Sequence, residues 1–419
     1  MADLNEHNAR DLFRAGLSAE APRPPRVDVA AAVRDGRRRR SARRAALVSG
    51  IAVAVAVVVA VPAALALTRD ESAPPGQDPP APATGVSRGP QPKRSVAAPP
   101  PYAEPPTSCN VHELPSPSSG GEPTLVTAGS PDGKVHFGRL LLPGNEMRVV
   151  RWRAGQPATV AVQGSQPKVN AVNNDGDAVG SSIIGDKLAA WLLRDDDEVV
   201  LLPGGDNAIA NAINGDGVVA GTRGGRPVVW RNTATAPVEL PLPAGARSGQ
   251  GRTMDDFGNV LGSIVVGQQE WPYVWASDGT GRQLPLPAGT STSPSGDGRP
   301  GPSSVVYYAR AGWATGLVGM PSAAAKPVLW NLMTNTVEVL AGVDPPAGPV
   351  NGMGFVIGGT ADGRAVLLAG DQRIVLPAIL GPSKERPNSA AALSDDGRTI
   401  AGQAWKTDND SQAVVWNCH

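Results

Sequence analysis

Cysteine is nearly absent from this chain. Only Cys109 and Cys418 occur in 419 residues, and there is no Cys-x-x-Cys pair for redox or zinc chemistry. Phe and Tyr number four each, too few for a helical bundle with an aromatic core. Histidine is also scarce. His112, His136 and His419 are far apart in the C-terminal three quarters of the chain, with no His-Glu-x-x-His among them and no Gly-x-Ser-x-Gly nearby. No contiguous catalytic motif is therefore present. Net charge is absent as well, but the balance hides an asymmetry. Residues 1–44 hold eleven Arg against six acids, about +5, and the remainder offsets them. The basic block is local and adjoins an apolar run, so no nucleic-acid-binding domain is expected.

What is abundant is Gly (50) and Pro (42), which suits tight turns and short strands. Ala45 to Leu67 is 23 residues without a charge. At 1.5 Å per residue it reaches about 34 Å, enough for a bilayer core of roughly 30 Å. Arg37 to Arg40, Arg43 and Arg44 precede it, so a single-pass helix over 45–67 with the N-terminus cytoplasmic and residues 68–419 outside is expected. A signal peptide cleaved after Ala64-Leu65-Ala66 is the alternative, but 44 preceding residues are long for one. Thr68 to Ser108 carries twelve prolines in 41 residues and no Trp or Cys. It reads as a disordered spacer holding a folded domain off the membrane. The tail 1–44, with Asp11-Leu12-Phe13-Arg14 and Pro24-Pro25-Arg26-Val27-Asp28-Val29, resembles the cytoplasmic leaders of actinobacterial single-pass proteins, some of them anti-sigma-factor-like.

From residue 109 onward one phrase recurs. Its clearest copy is Ala212-Ile213-Asn214-Gly215-Asp216-Gly217-Val218-Val219-Ala220-Gly221, then Pro227-Val228-Val229-Trp230, then Val238-Glu239-Leu240-Pro241. Trp152, Trp191, Trp230, Trp275, Trp330 and Trp416 mark a third strand, with Leu368 in the Trp position of a further copy. Seven copies across 109–419 give about 44 residues each, the length of a four-stranded propeller blade. The fold class is thus all-β, a seven-bladed β-propeller, with six or eight blades as the alternative. Asn173-Asn174-Asp175-Gly176 and its counterparts read as hairpin turns between first and second strands. A calcium reading of Asn173, Asp175 and Asp177 lacks the distal carboxylate it needs. Asp195 to Glu198 reads as a solvated hairpin tip. The stretch from Tyr308 to Gly319 lacks the Asn/Asp-Gly turn, and Thr290 to Ser304 reads as a Gly/Ser/Pro-rich insertion on the axial face.

The repeat resembles the HAF repeat of extracellular bacterial proteins over nearly all of 109–419. Ser130-Pro131-Asp132-Gly133-Lys134 and Ser394-Asp395-Asp396-Gly397-Arg398 resemble turns of TolB-like and WD-repeat-like blades. The resemblance implies a propeller outside the cytoplasm and no established activity. The Asp-box of sialidase-type propellers is missing.

The last copy stops at Trp416-Asn417-Cys418 without a fourth strand, and Cys109 to Pro115 matches a fourth strand with no blade before it. The first segment is expected to complete the last blade, with a Cys109–Cys418 disulfide across the join. Two unrelated buried thiols, or a metal pair with a His, are the alternatives. Asn170, Asn211, Arg252, Arg310 and Asn388 are candidates for lining the axial channel, where the two arginines would suit an anionic ligand. No cofactor and no metal is expected, and the domain is expected to be monomeric. The functional expectation is a membrane-tethered extracytoplasmic module that binds an envelope protein or glycan. Transmembrane signalling through the tail, and an envelope hydrolase or lyase with an axial site, are the alternatives.

Overall fold

The computed structural model describes residues 104–118, 120–290, 303–320, 323–407 and 410–419. The basic tail, the apolar run 45–67, all but the end of the Pro-rich spacer and most of the 290–304 insertion lie outside the described residues. Among the described residues no helix is long and apolar enough to cross a membrane.

Seven antiparallel sheets form a seven-bladed β-propeller, six of four strands and one of three. Blade one runs from Thr124–Gly129 to Gln156–Val160, blade two from Ser165–Val172 to Val199–Asp206, and blade three from Ala208–Ile213 to Val238–Glu239. Blade four runs from Ala246–Met254 to Gly281–Gln283 and blade five from Ser304–Arg310 to Thr336–Val339. Blade seven joins Ser389–Leu393, Thr399–Trp405 and Ser411–Cys418 to the first strand of the domain, Cys109–Glu113. That strand pairs Cys109 with Cys418 and Glu113 with Val414, and the two cysteines form a disulfide. Thr107 N–H donates to the His419 carbonyl at 2.6 Å, so the last spacer residues are tied to the closing blade too.

Blade six departs from four strands. Its sheet is Val356–Gly359, Ala365–Ala369 and Gln372–Val375. The segment in front makes only single bridges, Asp344 to Gly359 and Val350 to Val356. It carries Pro345, Pro346 and Pro349, which have no N–H to give a ladder.

Two backbone devices explain the repeated phrase. In the turns, Asn173, Asn214, Asp255 and Asn351 each accept, through Oδ1, the backbone N–H groups two and four residues ahead. In six blades the first strand bulges by one residue, at Thr127, Asn170, Asn211, Arg252, Tyr307 and Ala391. The bulge drives a first-strand carbonyl into the facing residue of the second strand. A Cβ at Gly221 would overlap the Ile209 carbonyl, which is why the phrase ends in Gly. Blade five replaces the longer turn with two residues, Ala311 (φ 43°) and Gly312 (φ 86°), both left-handed as a type I′ hairpin requires.

Each of the seven hydrophobic clusters lies between two adjacent blades. Trp152, Trp230, Trp275, Trp330 and Trp416 occupy equivalent third-strand positions and are fully buried. Each donates its Nε1–H to the carbonyl of the Leu-Pro proline of the preceding blade: Pro115, Pro203, Pro241, Pro285 and Pro377, at 2.7–3.0 Å. The Leu-Pro pair thus supplies an acceptor for the next blade as well as a strand stop. Trp191 does not belong to this set. Register places Leu193 opposite Ala178 in the Trp position, with Trp191 two residues earlier on the same face. The spacing of 39 residues on either side concealed the shift. The tip at Asp195 to Glu198 also differs from a purely solvated loop, because Arg151 and Arg153 of blade one pair with Asp197 and Asp195.

Candidate functional site

Each bulge re-aims one first-strand side chain. Asn170, Asn211 and Arg252 are three of these bulge residues, and they link successive blades. Asn170 Nδ2 donates to the Ala210 carbonyl at 2.9 Å, and Asn211 Nδ2 to the Gly251 carbonyl at 2.7 Å. The Arg252 guanidinium lies 5.9 Å from the centre of the Tyr307 ring, the bulge residue of blade five. Arg252 also faces Glu270 at 3.8 Å, while its Nε is buried without a partner. Glu270 accepts from Ser263 and Ser303.

Arg310 and Asn388 occupy different positions. Arg310 ends the first strand of blade five and reaches across blades. Its Nε and Nη2 donate to Asp395 of blade seven at 2.9 and 2.6 Å, and its Nη1 meets Asp256 of blade four at 2.5 Å. Asp256 also accepts from the Ala311 N–H, and Asp395 N–H donates to the Pro131 carbonyl of blade one. Burial raises the Asp256 carboxyl above its ordinary range, with Arg310 pulling the other way. Asn388 precedes the first strand of blade seven. Its Oδ1 accepts from Trp405 N–H, and its Nδ2 is buried without a partner. The five candidates therefore do not form one constellation: three share the bulge girdle, one bridges carboxylates at the turn end, and one lies in the wall.

Sequence reading missed a cationic pair at the interface of blades one and two. Arg139 follows Phe137 on the face that packs against blade two, and its Nε is buried without a partner. Lys168 is pushed down to about 8, first by burial and then by Arg139. Neither position matches the repeat, so periodicity gave no signal.

Proton-transfer chemistry finds little here. Asp255 is pushed up to about 6 by burial, but its oxygens are committed to its own turn, including Asn259 Nδ2 at 2.8 Å. His136 is buried with Nδ1 unpartnered, and burial pushes it down to about 4 against the pull of Asp132. A depressed His favours the fold above its unfolded value of 6.5, and this contribution is lost as pH falls from 6.5 toward 4. Stability is expected to drop by about 2 kcal/mol between pH 7 and pH 5 on its account. Asp255 has the opposite sign, since protonation below about 6 relieves its burial. Urea titrations of wild type and His136→Gln at both pH values isolate the histidine contribution. An unchanged pH difference in the variant would refute it.

No family model matches the chain, and no curated protein is similar to it in sequence. Solved structures do match. A streptogramin B lyase is 11% identical, with 74% of this chain and 98% of that chain covered and a TM-score of 0.44. A putative TolB from Agrobacterium tumefaciens is 13% identical over 55% and 87% of the two chains, with a TM-score of 0.40. A U3-55K structure is 10% identical over 74% and 98%, with a TM-score of 0.46. At these values no residue role passes to this chain.

Proposed function

We propose that this chain is a membrane-tethered β-propeller, facing the extracytoplasmic side and acting as a binding module in the HAF-repeat manner. The observation that carries the reading is the disulfide at the join of the ring. Such bonds persist in oxidising compartments, which agrees with an apolar run and a Pro-rich spacer placed ahead of the domain. The axial groups support binding over catalysis. Arg310 is shared between two carboxylates, the girdle asparagines hold backbone carbonyls, and His136 and Asp255, which burial pushes far from their ordinary values, are enclosed in their blades. The partner expected is an envelope protein or glycan.

Two measurements test this. A membrane-impermeant thiol probe, applied to intact cells after mild reduction, should label the two cysteines of the full-length chain. Labelling only after lysis would reject the outside placement. Capture of cell-envelope components on the full-length chain should retain a partner that Arg252→Ala loses; retention unchanged by that substitution would remove the girdle from the proposal.

A further inference from the structure

The Trp-to-proline hydrogen bond joins five of the seven blade interfaces, and the two exceptions share a pattern. Where Leu193 replaces the Trp, the preceding blade ends in Val160-Ala161 instead of Leu-Pro. Where Leu368 replaces it, the preceding blade ends in Leu340-Ala341. Indole and acceptor proline are lost together both times. At the first exception the space is still occupied. Trp191, one same-face step away, packs into it at zero exposure, with its Nε1 lacking an acceptor.

At the second exception the same strand offers no substitute, and the indole nearby is Trp313 of blade five. The residue equivalent to Trp191 is Val366, opposite Gly358. Between blades five and six a cavity of about 360 Å³ opens, lined by Trp313, Leu329, Leu340, Val356 and Leu368, with Glu338 at an exposed position. Leu329, Leu340 and Val356 are the counterparts of Val229, Leu240 and Val260, which surround the Trp275 indole two repeats earlier, and Trp313 stands where Val218 does there. The cleft is open to solvent on one side, and its volume falls in the range of small-ligand pockets.

We propose that this vacated tryptophan slot is a binding site for an indole-type aromatic ring bearing an N–H donor. The five filled interfaces show what the walls accept: a flat bicyclic ring, edge against the sheet, its N–H aimed at the carbonyl after the fourth-strand Leu. In this slot that carbonyl belongs to Ala341. The ring would come from a free indole-type compound or from a tryptophan of a partner, and the site stands apart from the axial girdle and does not depend on it.

The test is ligand-observed ¹⁹F NMR of 5-fluoroindole with the full-length chain. Saturable line broadening is expected, reversed by N-acetyltryptophanamide and not by N-acetylleucinamide. Leu368→Trp fills the slot from inside and should weaken binding at least tenfold; Leu368→Phe is a second blocking variant should the first misfold, with circular dichroism checking each. Ala341→Pro combined with Leu368→Trp should rebuild the sister interface and raise Tm. Tighter competition by N-acetyltryptophanamide than by indole supports a partner's side chain, and the reverse supports a free compound. No broadening with wild type, or equal broadening with folded Leu368→Trp, overturns the proposal.

Discussion

Replacing Cys109 and Cys418 by serine is expected to lower stability by up to about 6 kcal/mol, the chain-entropy value for so long a loop. The bond spans 309 residues, nearly the whole ring. For a domain of 311 residues the entropy of unfolding is about 0.65 kcal/mol per kelvin, so Tm should fall by up to about 9 °C. The fold itself should survive, because the closing strand has other ties. Cys109–Glu113 keeps its ladder with Ser411–Cys418, Gln412 Nε2 donates to the Leu114 carbonyl at 2.9 Å, and Trp152 donates to Pro115 at 2.8 Å. Those contacts are local in space but join the two ends of the chain. Without the disulfide, the first strand is the element expected to open first. Thermal scans and limited proteolysis of the double serine variant check this. A Tm within 2 °C of wild type would show that strand pairing alone closes the ring.

That closure was legible because it rests on composition. With only two cysteines, each at an unmatched half-blade, few pairings compete. The turns were legible for a similar reason: Asn214, Gly217 and their counterparts fill positions where backbone conformation restricts the residue. The interfaces were less legible. Trp191 is spaced like its neighbours yet lies two residues out of register, since periodicity counts residues and not hydrogen-bonded pairs. The missing first strand of blade six was written in Pro345, Pro346 and Pro349 but hidden by a normal turn at Asn351 to Gly354. The candidate site residues were the least legible. Arg310 meets Asp256 and Asp395 across 54 and 85 positions of sequence, and no repeat predicts which blades a long side chain will bridge. Arg139 and Lys168 belong to no repeated phrase at all.

Arg310→Met is expected to destabilise the domain by about 2 to 4 kcal/mol, somewhat below the cost of removing one partner from a fully buried ionic cluster, because the three side chains keep 21 to 25% of their surface exposed. The substitution keeps the length of the stem but leaves Asp256 and Asp395 without their shared cation. The loss is sharpened by where those carboxylates are anchored. Asp256 holds the Ala311 N–H of the blade-five hairpin, while the Asp395 backbone is tied to Pro131 of blade one and to Asn351 of blade six. One guanidinium therefore clamps a set of turns that covers blades four, five, six, seven and one. The sign of the pH effect follows from Asp256, which burial already holds above its ordinary value against the pull of Arg310. With that pull gone, the folded state takes up a proton more readily than the unfolded one, so the variant recovers stability as pH falls and loses it as pH rises. The deficit relative to wild type should be smaller at pH 5 than at pH 7. Adding Asp256→Asn and Asp395→Asn should recover most of it at pH 7, since no uncompensated charge remains. Urea denaturation of the three proteins at the two pH values decides the matter. A deficit below 1 kcal/mol, or one identical at both pH values, would mean that Arg310 is not the hub of the turn face.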